Sequence, residues 1–244
     1  MSSNRQSVMA ANTLHELSNR NSNGKSLQKR PYVLALLTSH LIGMEPGLLY
    51  LQRLIHQPFI IRMAAEESLF EYFSKNKLIE LTCNDDWIQS QQLLVNNQAD
   101  IIFLPILSFS LAADILSLNE QRPYVRLILQ SLLKGKKVVG LKLGIDPHHQ
   151  LWRLEGMDQS SLHVKRKLHD QMAQLKAMGI QLIHEEDSIQ PLKNNPTKKT
   201  IVTAETIRYL QQTGQQVINI REKAIITPLA HDLAKELKIE LIID

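Results

Sequence analysis

The strongest constraint on the fold is a continuous apolar run, YVLALL at residues 32–37, which ends abruptly in Thr-Ser-His. A strand with one solvent-facing side alternates apolar and polar residues, whereas a parallel strand covered on both faces is apolar throughout. Similar runs lie at residues 59–63, 78–81, 99–106, 136–143 and 180–183, and they alternate with segments of helical type. This alternation predicts an α/β fold with a doubly wound parallel sheet in three layers, Rossmann-like or flavodoxin-like.

Helices are predicted at residues 45–56, 66–76, 85–97, 110–118, 124–133 and 161–178. By composition the chain divides into four parts. They are a Ser/Asn/Arg-rich disordered tail (1–30), the α/β domain (31–185), a Pro/Asn/Lys-rich linker (186–198) and a small C-terminal α/β unit (199–244). In the last part, Thr227 followed by Pro228 marks a helix start, because a hydroxyl N-cap precedes proline at the first helical position.

The tail contains one segment with helical periodicity, SVMAANTLHELSNR, whose apolar positions are Met9, Ala10, Thr13, Leu14 and Leu17. A helix this short is marginal in water unless it docks on something. It could tether the protein to a partner, fold back over its own domain, or be a frayed terminus with chance periodicity.

Charge and cysteine content exclude several classes of function. The net charge is +4, and residues 1–30 account for all of it with five basic residues and one acidic residue. The predicted domain is therefore neutral, and we do not expect nucleic-acid binding. No apolar stretch reaches membrane-spanning length, and no secretory signal is recognised. Cys83 is the only cysteine, which fits a reducing cytoplasm.

In an open parallel sheet, ligands bind beyond the carboxyl ends of the strands. Four turns are selected by this rule, and their candidate binding residues are Thr38, Ser39, His40, Ala64, Pro105, Leu107, Ser108, Ser110 and Asp146. The hydroxyls of Ser39, Ser108 and Ser110 could hold a phosphate with helix N-terminal amides, or could simply be N-caps. We assign no metal ligands and no catalytic residues, and the sequence leaves open whether the protein is an enzyme.

Residues 31–184 resemble the FMN-binding flavoprotein family that includes the flavin-dependent cysteine decarboxylases. The resemblance lies in VLALLTSH, ADIIFLPILSFSLAADIL and KGKKVVGLKLGID, taken in order along the domain. A closer likeness is to a subgroup associated with bacterial microcompartments. It extends through DPHHQLWRLEGMD and LKAMGIQLI to the C-terminal AIITPLAHDLAKELKIELI.

The resemblance implies an FMN cofactor, with its phosphate at Ser39, Ser108 and Ser110 and its ring near Leu107 and residues 144–147. It also implies a homo-oligomer, a trimer or a multiple of trimers, and a role in redox or electron transfer. The N-terminal helix would then contact a microcompartment shell or cargo protein. The expected location is the cytoplasm, or more specifically the inside of a microcompartment.

The chain departs from the family pattern at several positions. The decarboxylases have a catalytic histidine before the Ala-Asp strand, and residues 85–98 contain none, so cysteine decarboxylation is not expected. Leu118 and Gln121 stand where the family often has a Gly-x-x-Asp turn. His40 would either approach the flavin or face solvent at the start of the next helix. The alternative function is a degenerate flavoprotein fold that serves as a non-catalytic scaffold or cargo component.

Overall fold

The computed structural model describes residues 7–21, 30–89, 93, 98–189, 201–212, 217–220, 225–237 and 239–243. The chain forms two compact units, Met1–Pro191 and Leu192–Asp244. None of the helices in these ranges is long and apolar enough to span a membrane.

The first unit contains a parallel sheet between helices. Its elements are α1 (Val8–Asn21), β1 (Tyr32–Leu37), α2 (Met44–Leu54), β2 (Ile60–Ala65), α3 (Lys75–Thr82), β3 (Ile101–Leu104), α4 (Phe109–Leu116), α5 (Pro123–Leu133), β4 (Lys137–Leu141), α6 (Gln150–Leu154), α7 (Leu162–Ala177) and β5 (Ile180–Ile183). The five strands run in the order β2-β1-β3-β4-β5, and every neighbouring pair is parallel. This order is that of the doubly wound flavodoxin-like fold. The predicted fold class is confirmed.

Apolar packing covers the sheet on both faces. Val33, Ala35 and Leu37 pack in one cluster with residues of α2 and α3. Leu34 and Leu36 point to the opposite face and pack with α4, α5 and α7. All five of these β1 residues are buried, as a strand covered on both sides requires.

The sequence prediction was wrong between β2 and β3. The run LIEL, residues 78–81, is not a strand but part of α3, whose N-cap is Ser74: the Ser74 hydroxyl accepts from the amide of Lys77. Leu78 and Thr82, four residues apart, are both buried, which is the spacing of a helix face. The predicted helix at 66–76 is a 3-10 turn over Glu67–Glu71 that ends before α3 begins.

The predicted helix at 85–97 is also wrong where it is described. Residues 85–89 are not helical, and Trp87 forms a parallel bridge to Met63. The backbone of Met63 bonds to Asp86 and Ile88 on this segment. Residues 90–92 and 94–97 of this prediction lie outside the described residues.

Helix α1, at the position predicted from sequence, is held against the first unit by polar contacts. The buried amide of Asn12 donates to Oδ2 of Asp86 (2.9 Å), which also accepts from Nε of Arg62 (3.1 Å). At the start of the helix, Ser7 Oγ and the Met9 amide donate to the carboxylate of Asp85 at 2.6 and 2.9 Å. The helix therefore folds back on its own domain through its polar side.

The apolar side of α1 makes no such contact. Met9, Leu14 and Leu17 are between 50% and 68% exposed. These three residues, which we call the α1 stripe, remain available at the surface while the opposite side of the helix is docked.

The second unit is built from two similar β-α-β segments, β6 (Ile201–Val202), α8 (Ala204–Gln212) and β7 (Val217–Ile220), then β8 (Ile225–Ile226), α9 (Pro228–Glu236) and β9 (Glu240–Ile243). Strand β6 pairs in parallel with β8, and β7 pairs in parallel with β9. Thr227 accepts from the amide of Ala230 and Pro228 follows it, so the predicted helix start is confirmed. Most of the predicted linker lies outside the described residues.

The connection between α4 and α5 contains a strained residue. Leu118 has a φ of +56°, in the left-handed region, and its side chain is 59% exposed. This is the position where the family resemblance suggests glycine. A left-handed conformation costs an L-residue about 1–2 kcal/mol.

We therefore expect Leu118→Gly to raise the free energy of unfolding by about 0.5–1 kcal/mol, because relief of strain exceeds the added entropy of the unfolded chain. Urea unfolding would measure the change. The matched control is Leu133→Gly, at an exposed position in α5. It should lower stability by about 0.5–1 kcal/mol, as glycine does in a helix. Equal losses in both variants would contradict the strain at Leu118.

Candidate functional site

The sheet reverses its winding direction between β1 and β3, and ligands of doubly wound folds bind at this switch point. The chain leaves β1 through Thr38, Ser39 and His40 and leaves β3 through residues 105–108. All of the candidate residues after these two strands therefore meet at one edge of the sheet.

The two loops of the switch point are tied together directly. The buried hydroxyl of Thr38 donates to the carbonyl oxygen of Ile106 at 2.9 Å. Helix α2 approaches so closely that a Cβ on Gly47 would lie 2.4 Å from the carbonyl oxygen of Pro105. Thr38 and Pro105 therefore hold the two loops together and do not present groups to a ligand.

His40 is buried between the loops after β1 and β4. Its Nε2 lies 2.8 Å from the carbonyl oxygen of Gly144, and its ring meets that of Phe109 edge to face at 4.6 Å. Burial lowers the pKa of His40, although the bond to Gly144 opposes the shift. The interpretation of His40 as a solvent-facing residue at the start of a helix is therefore wrong, because His40 is buried and α2 begins four residues later, at Met44.

Aromatic side chains fill the space beside His40. Trp152 is buried and donates from Nε1 to the carbonyl oxygen of Leu143 at 2.9 Å, and its ring lies 5.8 Å from that of Phe109. Ile42 and Leu168 complete this cluster. The region predicted for the flavin ring, near Leu107 and residues 144–147, adjoins this cluster through the contact of His40 with Gly144.

The three candidate serines differ in accessibility. Ser39 is half-buried and donates to Ser68 Oγ at 2.9 Å. Ser108 is buried and caps α4, because its hydroxyl accepts from the amide of Leu111. Ser110 is exposed and lies 3.2 Å from Ser108, oxygen to oxygen. Ser39 and Ser110 are the hydroxyls that a ligand can reach.

An arginine that the sequence analysis did not select organises this edge. Arg122 forms a two-pronged ion pair with Glu66, from Nε and Nη2 to Oε1 and Oε2, each at 2.7 Å. Its Nη1 donates to Asp114 at 2.9 Å and to Ser110 at 3.2 Å. Burial alone would lower the pKa of Arg122, but its bonds to Glu66 and Asp114 raise it above the usual value.

A buried hydroxyl lies next to this ion pair along α5. Tyr124 is 2% exposed, and its hydroxyl has no hydrogen-bond partner among the described residues. Burial, reinforced by the charge of Glu66, raises the pKa of Tyr124 well above its usual value. Buried hydroxyls normally have a partner, so Tyr124 is an exception within the described residues.

Of the remaining candidates, Ala64 and Leu107 are fully buried core residues. Asp146 pairs with Lys142 at 3.1 Å and accepts from the amide of His148. These contacts outweigh burial and lower the pKa of Asp146. A cavity of about 420 Å³ opens beyond the end of β2 and is lined by Ala65, Glu67, Phe70, Lys75, Trp87, Ile88 and Gln89.

The polar groups of the site suit a phosphate. Ser39, Ser110 and Arg122 carry donors that phosphate oxygens accept from. The rings of Phe109 and Trp152 pack beside His40, next to the position predicted for the flavin ring. Over the described ranges, no group of three His, Cys, Asp or Glu side chains is placed to hold a metal ion.

No protein-family model and no curated protein matches the chain. Solved structures that are similar include the following three. AnUbiX (PadA1), in complex with FMN and dimethylallyl pyrophosphate, has a TM-score of 0.45 and 13% identity over 63% of this chain and 77% of that chain. A dodecameric FMN-dependent UbiX-like decarboxylase from Escherichia coli O157:H7 has a TM-score of 0.45 and 16% identity over 75% of this chain and 94% of that chain.

The third is a mutant PPC decarboxylase, with a TM-score of 0.42 and 14% identity over 63% of this chain and 86% of that chain. At this level of identity the likeness is one of fold alone. What the three proteins bind or catalyse carries no argument for this chain.

The lowered pKa of His40 predicts a pH-dependent stability. Between the pKa of the unfolded chain, near 6.5, and the lower pKa of the folded state, the unfolded chain binds more protons. The stability from burying neutral His40 is complete above pH 6.5 and is lost as the pH falls through the folded-state pKa. Urea unfolding between pH 7.5 and 5 should show this loss.

His40→Gln preserves a side-chain donor for the Gly144 carbonyl but does not titrate, so its stability should fall less steeply with pH. The control is His163→Gln, at an exposed position on α7, which should retain the wild-type profile. An unchanged slope in His40→Gln would show that His40 does not control the acid response.

Proposed function

We propose that this protein is an FMN-binding flavoprotein with a role in redox or electron transfer, and not a cysteine decarboxylase. The observation that carries the proposal is the placement of polar side chains at the switch point between β1 and β3: Ser39 follows β1, and Arg122 bonds to Ser110 in the first turn of α4, which follows β3. The order of motifs in the resemblance to the FMN-binding family supports the same cofactor.

In the proposed complex, the phosphate of FMN accepts hydrogen bonds from Ser39, from Ser110 and from the free amides in the first turn of α4. Ser108 keeps its capping role and supports that turn. FMN, when bound, supplies one- and two-electron redox chemistry. The ring lies on the solvent side of His40, because Phe109 and Trp152 fill the other side.

The packing around His40 favours a second candidate function. The crevice contains the side chains of His40, Phe109 and Trp152, and Arg122 is already paired to two carboxylates. A flavoprotein fold that no longer binds flavin would show the same features. In that case the protein is a non-catalytic scaffold or cargo component. The two candidates differ in one property, the binding of flavin.

We also propose a homo-oligomer, a trimer or a multiple of trimers. Leu41, Leu154 and Leu162 lie on the elements that flank the crevice and are each about 70% exposed, at 69%, 73% and 73%. Large exposed apolar side chains on neighbouring elements are typical of protein interfaces. The α1 stripe is the proposed contact with a microcompartment shell or cargo protein in the cytoplasm, because it stays exposed while Asn12 holds the helix in place.

Flavin binding can be tested directly. The purified protein, incubated with excess FMN and desalted, should be yellow, and a colourless protein would favour the scaffold. Ser39→Ala and Ser110→Ala should each weaken FMN binding by about ten- to a hundredfold, since one charge-assisted hydrogen bond contributes about 1.5–3 kcal/mol. Ser108→Ala should weaken it similarly and also destabilise α4 by about 1 kcal/mol.

The matched control for the serine series is Ser117→Ala, at the opposite end of α4, where the hydroxyl donates to the carbonyl oxygen of Asp114. Its affinity for FMN should equal that of the wild type. If Ser39→Ala and Ser110→Ala both bind FMN like Ser117→Ala, the phosphate does not lie at the switch point.

A test of the role of α1 requires variants that keep the helix docked on its domain. Deleting residues 1–22 would remove the Asn12–Asp86 contact, so we expect a lower melting temperature regardless of any partner. Leu14→Ser combined with Leu17→Ser changes only exposed side chains, and should keep the melting temperature while abolishing co-purification with microcompartment shells. Thr13→Ala, at a neighbouring exposed position, is the control. Undiminished co-purification of the double variant would contradict the proposal.

A further inference from the structure

The guanidinium of Arg122 binds two carboxylates, one more than its charge needs for neutralisation. Glu66 occupies the two-pronged face of the fork, and Asp114 binds Nη1 as a second carboxylate. One positive charge thus faces two negative charges. Asp114 would still neutralise Arg122 if Glu66 moved away.

The pair lies at the mouth of the site rather than in the core. The side chains of Arg122 and Glu66 are 18% and 21% exposed. Glu66 follows the last residue of β2 and begins the turn that carries Ser68, the partner of Ser39. The carboxylate of Glu66 therefore reaches Arg122 within the same group of hydroxyls that is proposed to hold a phosphate.

An arginine fork binds carboxylate and phosphate with the same planar, two-pronged geometry. Tyr124 adds an independent indication that the present arrangement is incomplete. Its buried hydroxyl finds no acceptor among the described residues, even though Glu66 is near enough for its charge to act on it.

We propose that Glu66 is an internal anion that occupies the Arg122 fork in the ligand-free protein, and that the phosphate of the ligand displaces it. The affinity for the phosphate then depends on the difference in binding free energy between the two anions, phosphate and Glu66, that compete for Arg122. Glu66 sets that affinity and reserves the fork for ligands that carry a phosphate. The identity of the ligand as FMN rests on the proposed function, whereas the competition does not.

The test compares FMN with riboflavin, which lacks the phosphate. Glu66→Gln keeps the shape of the side chain and removes its charge, so FMN should bind at least about tenfold more tightly than to the wild type. Affinity for riboflavin should change less than about twofold, because no anion competes in that case. The ratio of the two affinities is the readout, since a merely structural role for Glu66 would shift both flavins alike.

Glu67→Gln is the matched control. Glu67 is the adjacent carboxylate and is exposed, so its substitution removes the same charge without freeing the fork. Glu66→Asp, as a second variant, keeps the charge but shortens the reach, and should also raise the FMN-to-riboflavin ratio. An unchanged ratio in Glu66→Gln, or an equal gain in Glu67→Gln, would overturn the proposal.

Failure of flavin binding can be told apart from failure of the competition. If neither the wild type nor any variant binds FMN or riboflavin, the proposed cofactor is wrong. The competition is then tested with pyrophosphate, which should raise the melting temperature of Glu66→Gln more than that of Glu67→Gln. Adding Arg122→Gln to the Glu66→Gln background should remove this gain. An equal response of the two single variants to pyrophosphate would overturn the competition itself.

Discussion

The hydrogen bond from the Thr38 hydroxyl to the carbonyl oxygen of Ile106 holds the site together. It lies where the chain diverges: after β1 it runs to α2 on one face of the sheet, and after β3 it runs to α4 on the other. The backbone ladder between β1 and β3 ends before these loops, so side chains must keep them together. The contact of Gly47 with Pro105 reinforces the same junction. Ser39, His40 and Ser108 take their positions from it.

Two kinds of environment meet above this junction. On the side of β4, the buried ring of His40 meets Phe109 edge to face, Trp152 packs beside Phe109, and burial lowers the pKa of His40. On the side of β2, hydroxyls, carboxylates and one arginine face the opening. Ligand binding therefore depends on the polar side, and the packed aromatic residues form the opposite wall of the site.

The sequence was informative where one physical pattern has one structural meaning. Mainly apolar runs identified β1, β2, β3, β4 and β5, because strands of a parallel sheet covered on both faces are largely apolar, although the edge strand β5 carries an exposed Gln181. The run at 78–81 misled because four residues of which three are apolar fit a strand or one turn of helix equally, and the cap at Ser74 decided for the helix. His40 is buried because its ring packs against the loop after β4, where Nε2 meets the carbonyl oxygen of Gly144, 104 residues away in the sequence. Arg122 could not be found, since its role comes from partners that are distant in the sequence; Glu66 is 56 residues away.

The pairing of strands in the second unit has a consequence for how this part of the chain can exist. Strand β6 finds its partner in β8 and β7 finds its partner in β9, so each two-stranded sheet takes one strand from each β-α-β segment. Neither segment has an internal ladder of its own among the described residues. A chain interrupted between β7 and β8 would leave four strands without partners at once. During synthesis β6 must therefore wait, unpaired, for β8, and β7 must wait for β9.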